Sequence, residues 1–379
     1  MPTPHPAQAS SLGEKLVPPT YTSWIKKTAW ALAIANIFLV ISGGIVRLTG
    51  SGLGCDNWPR CTADSWTTTP EMGFHGIVEF GNRMLTFALV IVTIVAFLAV
   101  LRLVFPERVT ARFFIKKLLV GARAHESRYA DLFNLVLLLL WGIPVQAVVG
   151  GISVWQRLNP WMITAHYMLS ALMIMLAGIY LNRIYRYFEG TAAREGLVAS
   201  EGQQAVLTGR TDAVPVTPAQ GTDAGAPASA HLMRVLGWVG VLLVVGLMFA
   251  GTVVTGTGPH AGDPETHRHT FNPVWVTRVH GSLVWIYCAS VLAFFLLWKK
   301  NNWAPIFGRS LGLVLAVLAY QAVVGYTQYF NGLPIWLVEM HLLGSGLFAL
   351  AASSLFERQL TLSSPAARAK AADRVLPQK

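Results

Sequence analysis

The stretch Gln146-Ala-Val-Val-Gly150 recurs unchanged as Gln321-Ala-Val-Val-Gly325, and a histidine follows each copy at the same offset. His166 lies 20 residues after Gln146, and His341 lies 20 residues after Gln321. An identical pentapeptide at an identical distance from a histidine indicates an internal repeat. Gly43-Gly-Ile-Val-Arg-Leu-Thr49 is echoed more weakly by Gly251-Thr-Val-Val-Thr-Gly256. The chain is therefore predicted to contain two related halves.

The composition shows which environment these halves occupy. Of 379 residues, 29 are Lys or Arg and 18 are Asp or Glu, which makes 12% charged, whereas a soluble domain carries about 25%. Hydrophobic residues make up 54% of the chain, too many to hide in one aqueous core. These values exclude an ordinary soluble enzyme and predict a polytopic protein in contact with membrane lipid. The net charge of +11 is expected in cytoplasmic loops, so it implies no nucleic-acid partner.

Eight segments are predominantly apolar and about 20 residues long, the length that crosses a bilayer as a helix. Numbered along the chain, spans one to eight are residues 26–46, 78–101, 132–151, 162–185, 233–255, 275–297, 309–329 and 335–356. The predicted fold class is all-α: an integral membrane protein whose eight transmembrane helices form two parallel four-helix bundle repeats. Because each half has an even number of spans, both halves have the same orientation in the membrane.

The segments between and around the spans complete the domain organisation. Residues 189–231 are rich in small and polar residues without apolar periodicity, which predicts a flexible linker. Lys and Arg are concentrated in the tails and in the loops that follow spans two and six, so these parts, including both termini, are predicted to be cytoplasmic. The resulting units are a tail at 1–25, a first half at 26–188, the linker, a second half at 232–356 and a tail at 357–379.

Three histidines lie within the spans, where ionisable groups are costly and point to function. His166, His280 and His341 follow Pro160, Pro273 and Pro334 by six or seven residues, which places them about 10 Å from the outer ends of their helices. Two imidazoles at one depth on facing helices can ligate a haem iron from both sides. We predict that His280 and His341 form such a pair. The alternative is that each is a hydrogen-bonded core histidine.

The first half is not a copy of the second at this level. Aligning spans two and six puts Asn82 opposite His280, whereas aligning His75-Gly76 with His280-Gly281 selects His75 instead. Glu79, three residues before Asn82, lies on the same helix face. It is either a partner for a nearby arginine or a carboxylate that transfers protons beside a reacting group. This asymmetry suggests one resident cofactor and one exchangeable site.

Other polar residues near the outer ends of the spans can be interpreted in two ways. Arg47, Arg83 and Arg278 can bind haem propionates bidentately or extend to the membrane interface without such a role. The loop histidines His260, His267 and His269 lie in a polar segment, where we expect solvated roles rather than metal binding.

The first outer loop contains Cys55 and Cys61, six residues apart around Trp58-Pro59. They lie on the side predicted to be outside, where a disulfide can persist. Zinc binding is not favoured, because no neighbouring Cys or His lies at the usual spacing to supply the remaining ligands. The pair is either a structural disulfide or part of a redox-active or substrate-covering loop.

Together these motifs resemble the haem A synthase family. The resemblance rests on Gly43-Gly-Ile-Val-Arg-Leu-Thr-Gly-Ser-Gly-Leu-Gly-Cys55 followed by Trp58-Pro-Arg-Cys61, on the carboxylate at the start of span two, and on the histidines of spans four, six and eight. It covers residues from about 25 to 356. The departure is Asn82, because the family has a histidine before the arginine at this place.

The resemblance implies an oxidoreductase that converts the C8 methyl group of haem O to a formyl group, giving haem A for terminal oxidases. It implies that His280 and His341 ligate a resident haem b, that His166 ligates substrate haem O, and that Glu79 is catalytic. Cys55 and Cys61 would be the family's outer-loop cysteine pair, and Asn82 or His75 would complete the substrate site. The implied partners are a haem O synthase (a farnesyltransferase) upstream and terminal cytochrome oxidase assembly downstream, in the bacterial cell membrane. A homo-oligomer is compatible with this interpretation.

Two other classes of function remain open. An electron-transferring membrane cytochrome b would bind haem without transforming it, and a haem carrier or assembly chaperone would use the first outer loop as a lid.

Overall fold

The computed structural model describes residues 16–106, 110–127, 129–208, 227–260, 262, 266–300 and 306–362. Across these residues the chain is helical and contains no strand. Eight of the described helices are long and apolar enough to cross a membrane, which confirms the eight predicted spans. In order, spans one to eight are Ser23–Leu48, Gly73–Val104, Ala130–Trp155, Pro160–Thr208, Pro227–Thr257, Pro273–Lys300, Ile306–Phe330 and Ile335–Leu362.

Prolines mark the starts of the three spans that carry histidines. Pro160 and Pro273 are the first residues of spans four and six, and Pro334 directly precedes Ile335 in span eight. Proline fits the first helical turn because that turn has no use for the missing N–H and the ring fixes a helical φ. The three histidines therefore lie at nearly the same distance from the starts of their helices.

All eight helices extend beyond the predicted spans, and the extensions of spans two and four change the position of predicted features. A 3₁₀ turn, Pro70–Met72, leads directly into span two, so that His75 lies on the helix rather than before it. The helix of span four continues to Thr208, well into the predicted linker. The rest of that linker up to residue 226 and most of both tails lie outside the described residues. The division into two halves stays a prediction.

The helix contacts show which spans pack against each other. In the first half, span one packs against spans two and four, and span three packs against spans two and four. In the second half, span five packs against spans six and eight and span seven against span eight, whereas spans six and seven pack only weakly. Spans one and four also contact span eight, and span four contacts span five. The seam between the halves is thus lined by spans one, four, five and eight.

A network of ion pairs joins spans three, four and eight far from the histidines. Arg183 binds Glu357 through two hydrogen bonds of 2.9 and 3.2 Å and also reaches Asp131 at 3.3 Å. Arg186 adds a contact of 3.2 Å to the same glutamate. Arg183 lies 17 residues, or about 25 Å, beyond His166 along span four. The network therefore ties the two halves together at the end opposite the candidate site.

Candidate functional site

Each of the three span histidines lies against a glycine of the preceding span. A Cβ atom placed on Gly150 would be 3.1 Å from Cε1 of His166, and one on Gly325 would be 3.2 Å from Cε1 of His341. The remaining histidine, His280, packs in the same way on Gly251, at 3.3 Å. These distances are tighter than ordinary contacts, so a larger residue would push the ring away. The last residue of the repeated pentapeptide is thus the surface on which a histidine ring rests.

The ring nitrogens show which of these histidines fit a haem iron. Nδ1 of His280 lies 3.2 Å from the carbonyl oxygen of Leu247, an arrangement that leaves Nε2 for a metal. Nδ1 of His341 and of His166 is buried without a hydrogen-bond partner among the described residues. The rings of His280 and His341 rest on glycines of spans five and seven in the same way, with Cε1 and Nδ1 facing the glycine. The two histidines of the predicted pair are therefore packed alike in spans six and eight, and imidazole nitrogens are donors that fit a haem iron.

The corresponding place in the first half holds a shorter side chain. Asn82 accepts a hydrogen bond of 2.6 Å from Ser42, which is adjacent to Gly43. A Cβ atom on Gly43 would meet nothing within 4 Å, unlike one on Gly251. His75, the other candidate, is exposed about two turns nearer the outer loop, and its Nδ1 lies 2.9 Å from the hydroxyl of Ser51. Asn82 therefore lies beside the glycine position, and His75 does not.

Glu79 is buried and is held by the first outer loop. Its carboxylate pairs with Arg83 at 2.6 Å and accepts a hydrogen bond from the backbone N–H of Cys55. Arg83 also donates to three loop carbonyls, those of Arg60 at 3.0 Å, Asn57 at 3.1 Å and Cys55 at 3.3 Å. Arg83, one of the three arginines predicted as possible propionate ligands, thus already binds Glu79 and the loop carbonyls.

The loop that holds Glu79 also covers the outer end of span three. Cys55 and Cys61 form the predicted disulfide. The indole of Trp58 packs on Gly151, and the carbonyl of Trp58 accepts a hydrogen bond of 3.1 Å from Trp155. Gly151 directly follows the glycine that supports His166. One loop therefore reaches both the carboxylate of span two and the surroundings of the histidine of span four.

The other two predicted arginines differ in environment. Arg278 is exposed. Arg47 is half-buried at the end of span one, and its Nε donates a hydrogen bond of 3.1 Å to the carbonyl oxygen of His260.

Two side chains near the site were not singled out from the sequence. Glu339 lies two residues before His341, and both of its carboxylate oxygens are buried without a hydrogen-bond partner among the described residues. They pack on Gly44 of span one, 2.6 and 2.9 Å from where its Cβ would lie. A signal was available, since Glu339 is an ionisable residue within an apolar span, and such residues point to function. The second is His269, for which a solvated role was expected; that expectation is wrong, because the residue is only 8% exposed.

A bare metal ion has no evident place in the described part of the chain, which brings no three His, Cys, Asp or Glu side chains together in a way that could hold one. A haem iron needs only two protein ligands, so the His280–His341 pair is the relevant arrangement.

Comparison with known proteins identifies the family of the chain. A family described as cytochrome oxidase assembly protein, COX15-CtaA, matches residues 26–353. Protoheme IX farnesyltransferases from two strains of Thermus thermophilus are each 33% identical over 86 residues. That match covers 22% of this chain and only 14% of each relative. The family match spans all eight predicted membrane helices, and the chain belongs to the COX15-CtaA family of cytochrome oxidase assembly proteins, the haem A synthase family that its first outer loop resembles.

Proposed function

We propose that this chain is a haem A synthase, which oxidises the C8 methyl group of haem O to a formyl group. Membership of the cytochrome oxidase assembly family supports the general role. The observation that carries the specific proposal is that His280 and His341 each pack on a glycine of a neighbouring span in one half, combined with a different constellation of Asn82, Glu79 and His166 in the other. A site for a resident haem beside a site with fewer ligands suits an enzyme that acts on haem.

In the second half, His280 and His341 would hold haem b. The hydrogen bond from Nδ1 of His280 to the Leu247 carbonyl supports ligation through Nε2 and fixes the orientation of the ring. The glycines under both rings hold them against the backbone of the neighbouring spans. When bound, this haem supplies a one-electron redox centre.

In the first half, His166 would bind the iron of substrate haem O. Asn82 is a poor iron ligand, so this site holds its haem less firmly than a pair of histidines would and allows exchange of substrate and product. Conversion of a methyl group and one water molecule to a formyl group releases four protons and four electrons. The electrons would pass to an external electron acceptor, and Glu79 is the buried carboxylate that would accept protons. The N–H of Cys55 and the guanidinium of Arg83 fix its position.

The proposed surroundings follow from the reaction. Haem O must come from a farnesyltransferase that modifies protohaem, and the local similarity to protoheme IX farnesyltransferases supports such a partner. Haem A would be delivered to the assembly of a terminal oxidase. The charge distribution of the loops supports a multi-pass protein of the bacterial cell membrane with both termini in the cytoplasm.

The test is co-expression with a haem O synthase in cells that make no haem A, followed by chromatography of the extracted haems. We expect haem A to appear only when both proteins are present, with cells that express the haem O synthase alone as the control. If haem O persists unchanged although the purified protein carries haem, the proposal is wrong. An electron-transferring cytochrome b or a haem carrier would then be favoured.

A further inference from the structure

Arg47 is a cation at the seam between the two halves that lacks a carboxylate partner among the described residues. It lies near the outer end of span one and is half-buried. The Nε–H of Arg47 donates a hydrogen bond to the carbonyl oxygen of His260. In the described ranges no carboxylate lies within ion-pair distance of its guanidinium. A half-buried guanidinium with free N–H groups is costly unless an anion binds there.

His269 is a second group near Arg47 with an unused donor. Its side chain is only 8% exposed, and its Nε2 has no hydrogen-bond partner in the described part of the chain. The ring is held by Trp161 at 4.5 Å and Phe271 at 5.5 Å between ring centres, and it rests on Gly256 of span five. A backbone hydrogen bond of 3.0 Å from His269 to Gly256 fixes the segment. The imidazole is therefore held rigidly, with one nitrogen unsatisfied.

The charges of Arg47 and His269 act on each other. Burial lowers the pKa of His269, and the positive charge of Arg47 lowers it further. A neutral imidazole that carries its proton on Nε2 donates one hydrogen bond, and a guanidinium donates up to five. Together they offer several N–H donors and one positive charge, which is the chemistry that binds a carboxylate.

The position of these two residues relates them to the histidine pair. His280 rests on Gly251 and His269 rests on Gly256, so that the second ring lies five residues, or about 7.5 Å, farther out along span five. Arg47 lies three residues, or about 4.5 Å, outward of Gly44, which contacts Glu339 and Leu342 on either side of His341. The donors thus lie one to two helical turns outward of the paired imidazoles.

We propose that Arg47 and His269 bind the propionate carboxylates of the haem that His280 and His341 ligate, so that a residue of the first half closes the haem site of the second. The proposal rests on the haem ligation given under the proposed function. Propionates leave one edge of the macrocycle, and Arg47 and His269 lie outward of the paired imidazoles, where they would meet that edge if it faces outward. Arg47 would bind one carboxylate bidentately, and Nε2 of His269 would donate to an oxygen of the same or the second propionate.

The experiment compares haem b with its dimethyl ester, which has the same ring and iron but no carboxylates. The protein in detergent is depleted of haem, loaded with either compound, and mixed with excess apomyoglobin, and the loss of haem is followed by absorbance. We expect Arg47→Gln and His269→Gln each to lose haem b about 10-fold faster than the unsubstituted protein. All three proteins should lose the dimethyl ester at the same rate.

Two further variants keep the result interpretable. Arg47→Lys keeps the charge without the bidentate geometry and should lose haem b at a rate between those of the unsubstituted protein and Arg47→Gln. Arg157→Gln removes an exposed arginine just after span three, which is in none of the proposed haem sites, and should change neither rate. The proposal is overturned if Arg47→Gln and His269→Gln retain haem b normally, or if they lose the ester as much faster as haem b.

The spectra of two further variants distinguish an error in the carboxylate site from an error in the proposed haem ligation. If His280→Ala and His341→Ala keep the low-spin haem spectrum, the ligation itself is wrong. If that spectrum is lost in both but the ester comparison shows no effect of Arg47 or His269, only the carboxylate site is wrong.

Discussion

The carboxylate of Glu79, on span two, accepts a hydrogen bond from the backbone N–H of Cys55, in the first outer loop. The same loop residue offers its carbonyl to Arg83, which in turn pairs with Glu79. The proposed catalytic group is therefore not held by its own helix alone. Its position depends on a loop that a disulfide closes.

Replacing Glu79 by Gln removes the proton acceptor and keeps the size of the side chain. We expect haem A formation to fall by about 100-fold or more, the contribution of a positioned acid or base, while resident haem stays bound. Haem extraction and the absorption spectrum of the purified protein measure the two effects. Glu71→Gln, an exposed carboxylate just before span two, is the control and should leave both unchanged. Normal haem A formation by Glu79→Gln would remove this residue from the mechanism.

Replacing both Cys55 and Cys61 by Ser should separate catalysis from haem binding. Without the disulfide the loop carbonyls and N–H no longer hold Glu79 and Arg83 in place, so haem A formation should fall by about 10-fold or more. The low-spin signal of the resident haem should persist, because His280 and His341 lie in the other half. Loss of that signal, or unchanged product formation, would show that the loop does not act through Glu79.

Larger residues at the glycines beneath the histidines should displace the rings. In Gly251→Val and Gly325→Val the new side chain starts about 3.3 and 3.2 Å from a ring carbon, so the resident haem should lose its low-spin signal. Gly43→Val is the matched control in span one, where a Cβ atom meets nothing within 4 Å. Its purified protein should keep the signal. Equal effects of all three substitutions would contradict the packing argument.

Breaking the ion-pair network far from the site should affect stability more than chemistry. Glu357→Gln leaves Arg183 without its bidentate partner, and the expected loss is about 2–3 kcal/mol, less than for a fully buried pair because Arg183 is partly exposed. Arg186→Gln removes one contact of 3.2 Å and should cost less. Thermal unfolding of the purified variants gives the order. An equal midpoint for Glu357→Gln and the unsubstituted protein would refute a structural role for the network.

Much of the fold could be predicted because hydropathy and helix starts are local properties. Eight apolar segments predicted eight spans, and Pro160 and Pro273 predicted where two of the histidine-bearing helices begin. The repeated pentapeptide pointed to His166 and His341, and the structure adds the reason, since its last glycine contacts the histidine ring.

The rest depends on contacts between distant parts of the chain. The polar sequence of its loop predicted that the side chain of His269 is exposed to solvent. In the structure that side chain packs on Trp161 of span four and Gly256 of span five. The packing of Glu339 on Gly44 joins spans eight and one, and no local pattern predicts that contact. In the same way, the sequence could not show that Arg83, next to Asn82, donates its hydrogen bonds to loop carbonyls rather than to a propionate.

The low-spin spectrum of the resident haem tests the central claim most directly. It is recorded on purified His280→Ala and His341→Ala, with His75→Ala as a control that alters an exposed histidine outside the pair. We expect the b-type low-spin signal to disappear in the first two variants and to remain in the third. Retention of the signal in His280→Ala and His341→Ala would contradict the account.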